Sequence, residues 1–213
     1  MREIFFVLLA VTAAAHLASL FFKQSLFQSV TKACLVPLVF AVYAASTAGR
    51  FFFPVVLALL FGWAGDVLLL KIENLRFFRL GLASFLLGHI CYIVSMFYFA
   101  GSLNIKIFII SLIAAAVTGV FAYFFVRPAK EMKILVIIYE TVILFMAVLA
   151  IQIFARWSFP FGAFVAAGSL CFVVSDLLLA YHTFHNQNRL LNFIVMLTYI
   201  SAQFCITFGL AGA

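Results

Sequence analysis

Charge is what this sequence is short of. Only 9% of its 213 residues are Asp, Glu, Lys or Arg, against roughly 25% in a soluble domain. Such a chain cannot clothe itself in a water-compatible surface. Proline is sparse too: Pro37, Pro54, Pro128 and Pro160 are the only four, mostly near the ends of apolar runs, which leaves few places to break a helix. The four cysteines (Cys34, Cys91, Cys171, Cys205) all lie inside apolar runs without CxxC or zinc spacing. They read as small buried hydrophobes, not a disulfide framework or a metal site. The sequence contains no GxSxG, no Gly-rich phosphate loop and no HExxH, so no serine elbow, nucleotide cradle or zinc-protease helix is expected. The expectation is no metal and no cofactor.

What fills the chain instead is hydrocarbon. Hydrophobic residues make up 68% of it and aromatics 18%, with 29 Phe, and the mean hydropathy is +1.29. Disorder is excluded, because disordered chains are poor in apolar and aromatic residues. A net charge of +7 could suggest nucleic acid on a soluble protein, but the basic residues are scattered at the ends of apolar runs. That is the positive-inside pattern of a membrane protein, and no nucleic-acid partner is expected.

A spanning helix needs about 20 mostly apolar residues. That rule places eight spans near 4–22, 32–48, 52–70, 79–100, 105–125, 133–153, 160–182 and 190–212. The fold expected is all-α, a polytopic membrane helix bundle forming a single integral membrane domain over 1–213. The connections are too short for a soluble domain, and no obligate protein partner is evident. The run after Met1-Arg2-Glu3 continues through Phe22 without a processing site, so it reads as an uncleaved first span. Arg2, Arg50, Lys106 and Arg156 lie on one side of this arrangement. Lys23, Lys32, Lys71, Arg76, Arg79, Arg127, Lys130, Lys133 and Arg189 lie on the other. The nine-residue side should be cytoplasmic, with both termini outside, and a bacterial inner membrane is the expected location.

The sequence also echoes itself. Gly65-Asp66-Val-Leu-Leu-Leu resembles Ser175-Asp176-Leu-Leu-Leu-Ala, with the aspartates 110 residues apart. Twenty-three residues after each comes a polar aromatic, His89 and then Tyr199. Two parallel four-helix halves would explain that spacing.

Ionisable groups inside a bilayer cost about 2.5–3.5 kcal/mol each on insertion scales, so they face the protein interior and tend to be functional. Asp66 is four residues from the cytoplasmic end of span 3 and Asp176 six from that end of span 7. Glu140 is seven residues into span 6, and Lys32 begins span 2. His89 and Tyr92 occupy mid-span 4, with Tyr199 and Gln203 at similar depth in span 8. A bridge from Glu140 to Lys32 or Lys133 is as reasonable as a chemical role. Gly88 would admit another helix or a ligand beside His89. His182 and His185 read as interfacial, since no carboxylate or Cys stands at ligand spacing. Two carboxyls in an apolar cavity have a defined use: one kept neutral serves as acid, while the other stays charged beside a cation such as Lys32. A proton-coupled carrier, or a lipid-binding membrane protein, would use the same pair as a relay or polar pocket.

The block Gly65-Asp66-Val-Leu-Leu, then Phe77-Phe78-Arg79-Leu-Gly81-Leu-Ala-Ser-Phe85-Leu-Leu-Gly88-His89-Ile-Cys-Tyr92, resembles the YhhN family of membrane proteins, the lysoplasmalogenases. Ser175-Asp176-Leu-Leu-Leu-Ala, Tyr199-Ile-Ser-Ala-Gln203 and Lys32 ahead of Pro37 are similar to later and earlier parts of that pattern. The resemblance implies an eight-helix enzyme that hydrolyses the vinyl ether bond of lysoplasmalogens. Its products would be a fatty aldehyde and glycerophosphoethanolamine or glycerophosphocholine. It carries the family's acidic residues onto Asp66 and Asp176. Lys32, Arg76 or Arg79 would then meet the phosphate of the lysophospholipid, as interfacial cations commonly do.

Overall fold

The computed structural model describes residues 2–22, 25–71, 73–157, 159–185 and 188–212. Lys23, one of the nine cations counted above, lies outside them. Among the described residues there are eight α-helices and no strand: α1 (Arg2–Ser19), α2 (Ser25–Ser46), α3 (Phe53–Leu68), α4 (Leu75–Ala100), α5 (Ile105–Val126), α6 (Lys133–Arg156), α7 (Phe161–Phe184) and α8 (Arg189–Ala211). All eight are long and apolar enough to cross a membrane, α3 with the help of a 3-10 turn over Leu69–Lys71. Large apolar side chains such as Ile110, Val117, Phe124 and Ile134 are exposed along their length. In water these would form a liability; against lipid they are solvated.

The expected boundaries hold to within a few residues, with one informative exception. Helix α2 begins at Ser25, seven residues before the expected start. Gln28 explains the early start: its amide donates to the carbonyls of Ser19 at 2.6 Å and Phe22 at 2.8 Å. It thereby ties the first turn of α2 to the turn that ends α1, where the Ser19 carbonyl also accepts from the Phe22 N–H at 3.0 Å. Lys32 therefore sits in the third turn of α2 and does not open the helix as expected. At the start of α3, Pro54 stands where a missing N–H costs nothing. Pro37 lies inside α2, which nonetheless runs unbroken.

The chain packs as two compact units, residues up to Ser95 and residues from Met96 to Ala211. In the first, α3 and α4 approach closely through glycines. A Cβ on Gly65 would fall 2.7 Å from the Phe85 ring, and one on Gly88 would fall 3.1 Å from the Ala58 carbonyl. Ser84 donates to the Phe61 carbonyl at 2.7 Å, and Trp63 donates to Ala33 of α2 at 2.9 Å. In the second unit α7 packs between α6 and α8. Gly168 and Gly209 bring α7 and α8 together, with a Gly168 Cβ only 2.8 Å from the backbone nitrogen of Ile206. Ser175 donates to the Val195 carbonyl at 3.1 Å.

The internal echo has a structural counterpart in these two hairpins. Gly65 meets Phe85, twenty residues on, and Ser175 meets Val195, also twenty residues on. Thus α3–α4 and α7–α8 pair in matching register after a shift of 110 positions.

Small residues at such crossings replace the hydrophobic drive that lipid removes. Gly168→Ala should lower the melting temperature of the purified protein by several degrees, since the backbone of α8 must shift at a cost of about 1–3 kcal/mol. Gly119→Ala should be nearly silent, because its new methyl meets only the flexible end of Leu144 at 3.2 Å. Equal melting shifts for the two variants would contradict this packing.

Candidate functional site

In the first unit the polar cluster is built by α1, α2 and α3. Asp66 is 2% exposed and its Oδ1 lies 3.6 Å from the Lys32 ammonium. Trp63, one turn earlier on the same face of α3, is tied to Ala33, which holds that face against the turn carrying Lys32. The Lys32 side chain is itself largely buried, and its charge offsets the cost of a buried carboxylate.

Beside Lys32, Thr31 donates its hydroxyl hydrogen to the Phe27 carbonyl at 2.8 Å. His16 Nδ1 lies 2.9 Å from the same hydroxyl oxygen, which joins α1 to α2 at this level. His16 Nε2 is buried and without a hydrogen-bond partner among the described residues. The sequence does not single out His16, because it lies inside an apolar run that continues through Phe22. The overlooked signal was an imidazole at the same end of its helix as Lys32.

His89, Tyr92, Arg76 and Arg79 belong to α4. His89 is 2% exposed and donates from Nδ1 to the Phe85 carbonyl at 2.7 Å, so its own helix fixes the tautomer. Tyr92 is fully buried one turn further on. The close approach expected at Gly88 is made by another helix, α3. Arg76 and Arg79 are exposed in the first turns of α4, where the Asn74 side chain caps the helix by accepting from the Arg76 backbone N–H.

In the second unit Asp176 is also buried, at 8% exposure. Its Oδ2 accepts a hydrogen bond from the Tyr139 hydroxyl at 3.0 Å. The donor thus comes from the residue preceding Glu140, the one the sequence had singled out. Successive helical residues point about 100° apart, so Tyr139 faces α7 and Glu140 faces elsewhere. Glu140 lines a cleft between α5 and α6. The bridge considered from Glu140 to Lys133 does not form: the Lys133 ammonium lies over the Tyr123 ring, 5.0 Å from its centroid, while Lys32 pairs with Asp66 within the first unit. The Tyr199 ring packs edge-on against Phe172 at 5.8 Å and its hydroxyl accepts from Gln203 at 3.4 Å. These two residues thus combine α7–α8 packing with a buried polar pair. His185 stacks on Tyr181.

Among the described residues no three His, Cys, Asp or Glu side chains gather at metal-binding distance. What each unit offers is a buried carboxyl held by a side chain from a neighbouring helix, an ammonium in one case and a phenol in the other. Fold and site together define a polytopic α-helical membrane protein with intramembrane carboxyl groups. The sequence pattern of the YhhN family matches residues 23–210, nearly the whole chain, and the protein belongs to that family. Comparison with curated proteins and with solved structures returns no match. The family match begins after α1, so His16 lies outside it.

The Lys32–Asp66 pair can be measured. In a cycle of Lys32→Met, Asp66→Asn and the double variant, each single change should destabilise the protein. The double variant should recover about 1–3 kcal/mol relative to their sum, read from unfolding in detergent. Additive effects would show that the two groups do not interact.

Proposed function

We propose that the protein hydrolyses the vinyl ether bond of lysoplasmalogens, releasing a fatty aldehyde and glycerophosphoethanolamine or glycerophosphocholine, with Asp66 and Asp176 as its catalytic residues. The observation that carries this reading is the pair of buried aspartates in a YhhN-family chain. They occupy matching helical hairpins but differ in their partners, Lys32 for one and Tyr139 for the other.

The chemistry asks for that difference. One carboxyl gives a proton to the alkenyl carbon remote from the ether oxygen, and the C=C electron pair forms the new C–H bond. The resulting oxocarbenium ion is attacked by water, whose proton passes to a carboxylate. The hemiacetal then collapses, breaking the C–O bond, so that the glycerol oxygen leaves with a proton and the former alkenyl group becomes the aldehyde. Two carboxyls in unlike electrostatic settings divide such acid and base work, as in glycosidases. The expected setting is a bacterial inner membrane, with the basic helix ends toward the cytoplasm and both termini outside. Lys32, Arg76 and Arg79 supply cations near those ends for the substrate phosphate.

A proton-coupled carrier could use the same groups, but such carriers commonly build their sites from broken helices. Here even α2, with Pro37 inside it, is continuous.

Purified protein incubated with lysoplasmenyl-ethanolamine should release aldehyde. Asp66→Asn and Asp176→Asn should each lower the rate by about 100-fold or more, the usual share of general acid–base catalysis. No release by the wild type, or undiminished release by both variants, overturns the assignment.

A further inference from the structure

Tyr139, which holds Asp176, does not line the cleft between α5 and α6, and nothing above gives that cleft a task. It encloses about 650 Å³, well within the range of roughly 300–1,000 Å³ typical of small-ligand sites. Its walls are almost wholly apolar, and small residues (Ala115, Ala116 and Gly119) hollow out the α5 side. Val120 and Phe124 on that wall are more than half exposed, so the cleft opens sideways, toward lipid.

Two wall residues carry charge. Lys133 is the first residue of α6, at the end where the chain leaves the apolar region. Glu140 lies two turns deeper, about 10 Å along the helix axis. Glu140 makes no hydrogen bond or ion pair with any described residue. A carboxyl facing hydrocarbon without a donor is costly, and an apolar side chain would serve α6 better. The position makes physical sense if the donor arrives from outside the chain.

We infer that this cleft binds a single-chain phospholipid and that Glu140 selects for it. In this cleft the phosphate meets Lys133, not the Lys32, Arg76 or Arg79 assigned to the reacting substrate; the flexible Lys133 stem lets the ammonium lean outward to the interface. The free hydroxyl on the middle glycerol carbon donates to Glu140. The chain runs along α5 from Val126 toward Leu112, fourteen residues or about 21 Å, longer than the roughly 15 Å of hydrocarbon in one leaflet. A two-chain phospholipid carries an ester where that hydroxyl would be. It offers Glu140 no donor, and it brings a second chain to a cleft with room for one. Discrimination of this kind is strong because the protein's polar group is left unpaired by the wrong ligand. The inference rests on the proposed function only for the class of substrate; it does not depend on how, or whether, the ether is cleaved.

The test uses the full-length protein in detergent and a labelled 1-O-alkyl lysophosphoethanolamine with a saturated ether, which vinyl ether chemistry cannot consume. Wild type should bind it at least 10-fold more tightly than diacyl phosphatidylethanolamine. Ala115→Phe, which fills the cleft, should weaken binding by about 10-fold or more. Glu140→Leu, which suits an apolar helix and should not unfold it, should bring the lyso and diacyl affinities to within about 3-fold of each other. Unchanged binding in both variants, or equal affinity of the wild type for the two lipids, overturns the inference. Aldehyde assays fail independently: intact lysolipid selectivity without aldehyde release removes the hydrolase and leaves the cleft standing.

Discussion

A carboxyl group inside hydrocarbon has to be given a partner, and the arrangement of these helices follows from that requirement. Asp66 and Asp176 are each met by a side chain from another helix of the same unit: Lys32 of α2 and Tyr139 of α6. Lipid offers neither group a hydrogen bond. Each aspartate therefore commits its helix to one rotation about its axis and one neighbour. The small residues act on the same commitment. Gly65 beside Asp66, and Gly168 two turns before Asp176, let the backbones close in where side chains would hold them apart.

The two partners give the carboxyls unlike surroundings by different means. Lys32 supplies a full charge at 3.6 Å, carried on a stem in the third turn of α2. Tyr139 supplies one hydrogen bond at 3.0 Å and no charge. Two carboxyls of the same residue type have few other ways to differ in a medium without water. His16 adds a third polar group beside the first aspartate's partner, with one ring nitrogen committed to Thr31 and the other uncommitted among the described residues. Helix α1, outside the family match, thus contributes to the cluster as well as to the span count.

The depth of nearly every polar group was legible in the sequence, because depth along a helix is a matter of counting residues. Asp66, Asp176, Glu140 and Tyr199 lie close to the levels that counting places them at. Lys32 is the exception: the Gln28 tie extends α2 backward, and ties made by a side chain nine residues away leave no periodic signal. What counting cannot supply is azimuth. In helices as uniformly apolar as α5 and α6, no polar face marks the inward side. Glu140 drew attention through its charge while Tyr139, about 100° around the helix, made the bond to Asp176.

By itself, then, the sequence determined the solvent, the number of spans and the rare positions where chemistry could reside. Composition and run length settle those without reference to packing. The internal echo belongs there too, since matching residues 110 positions apart produced hairpins paired in matching register. Tertiary structure alone decided which groups meet: Lys32 with Asp66, Tyr139 with Asp176, His16 with Thr31, and Glu140 with an open cleft. The reason is that each helix could lie at any rotation in lipid at similar cost. Only close packing against specific neighbours, and the need to pair Asp66 and Asp176, selects one.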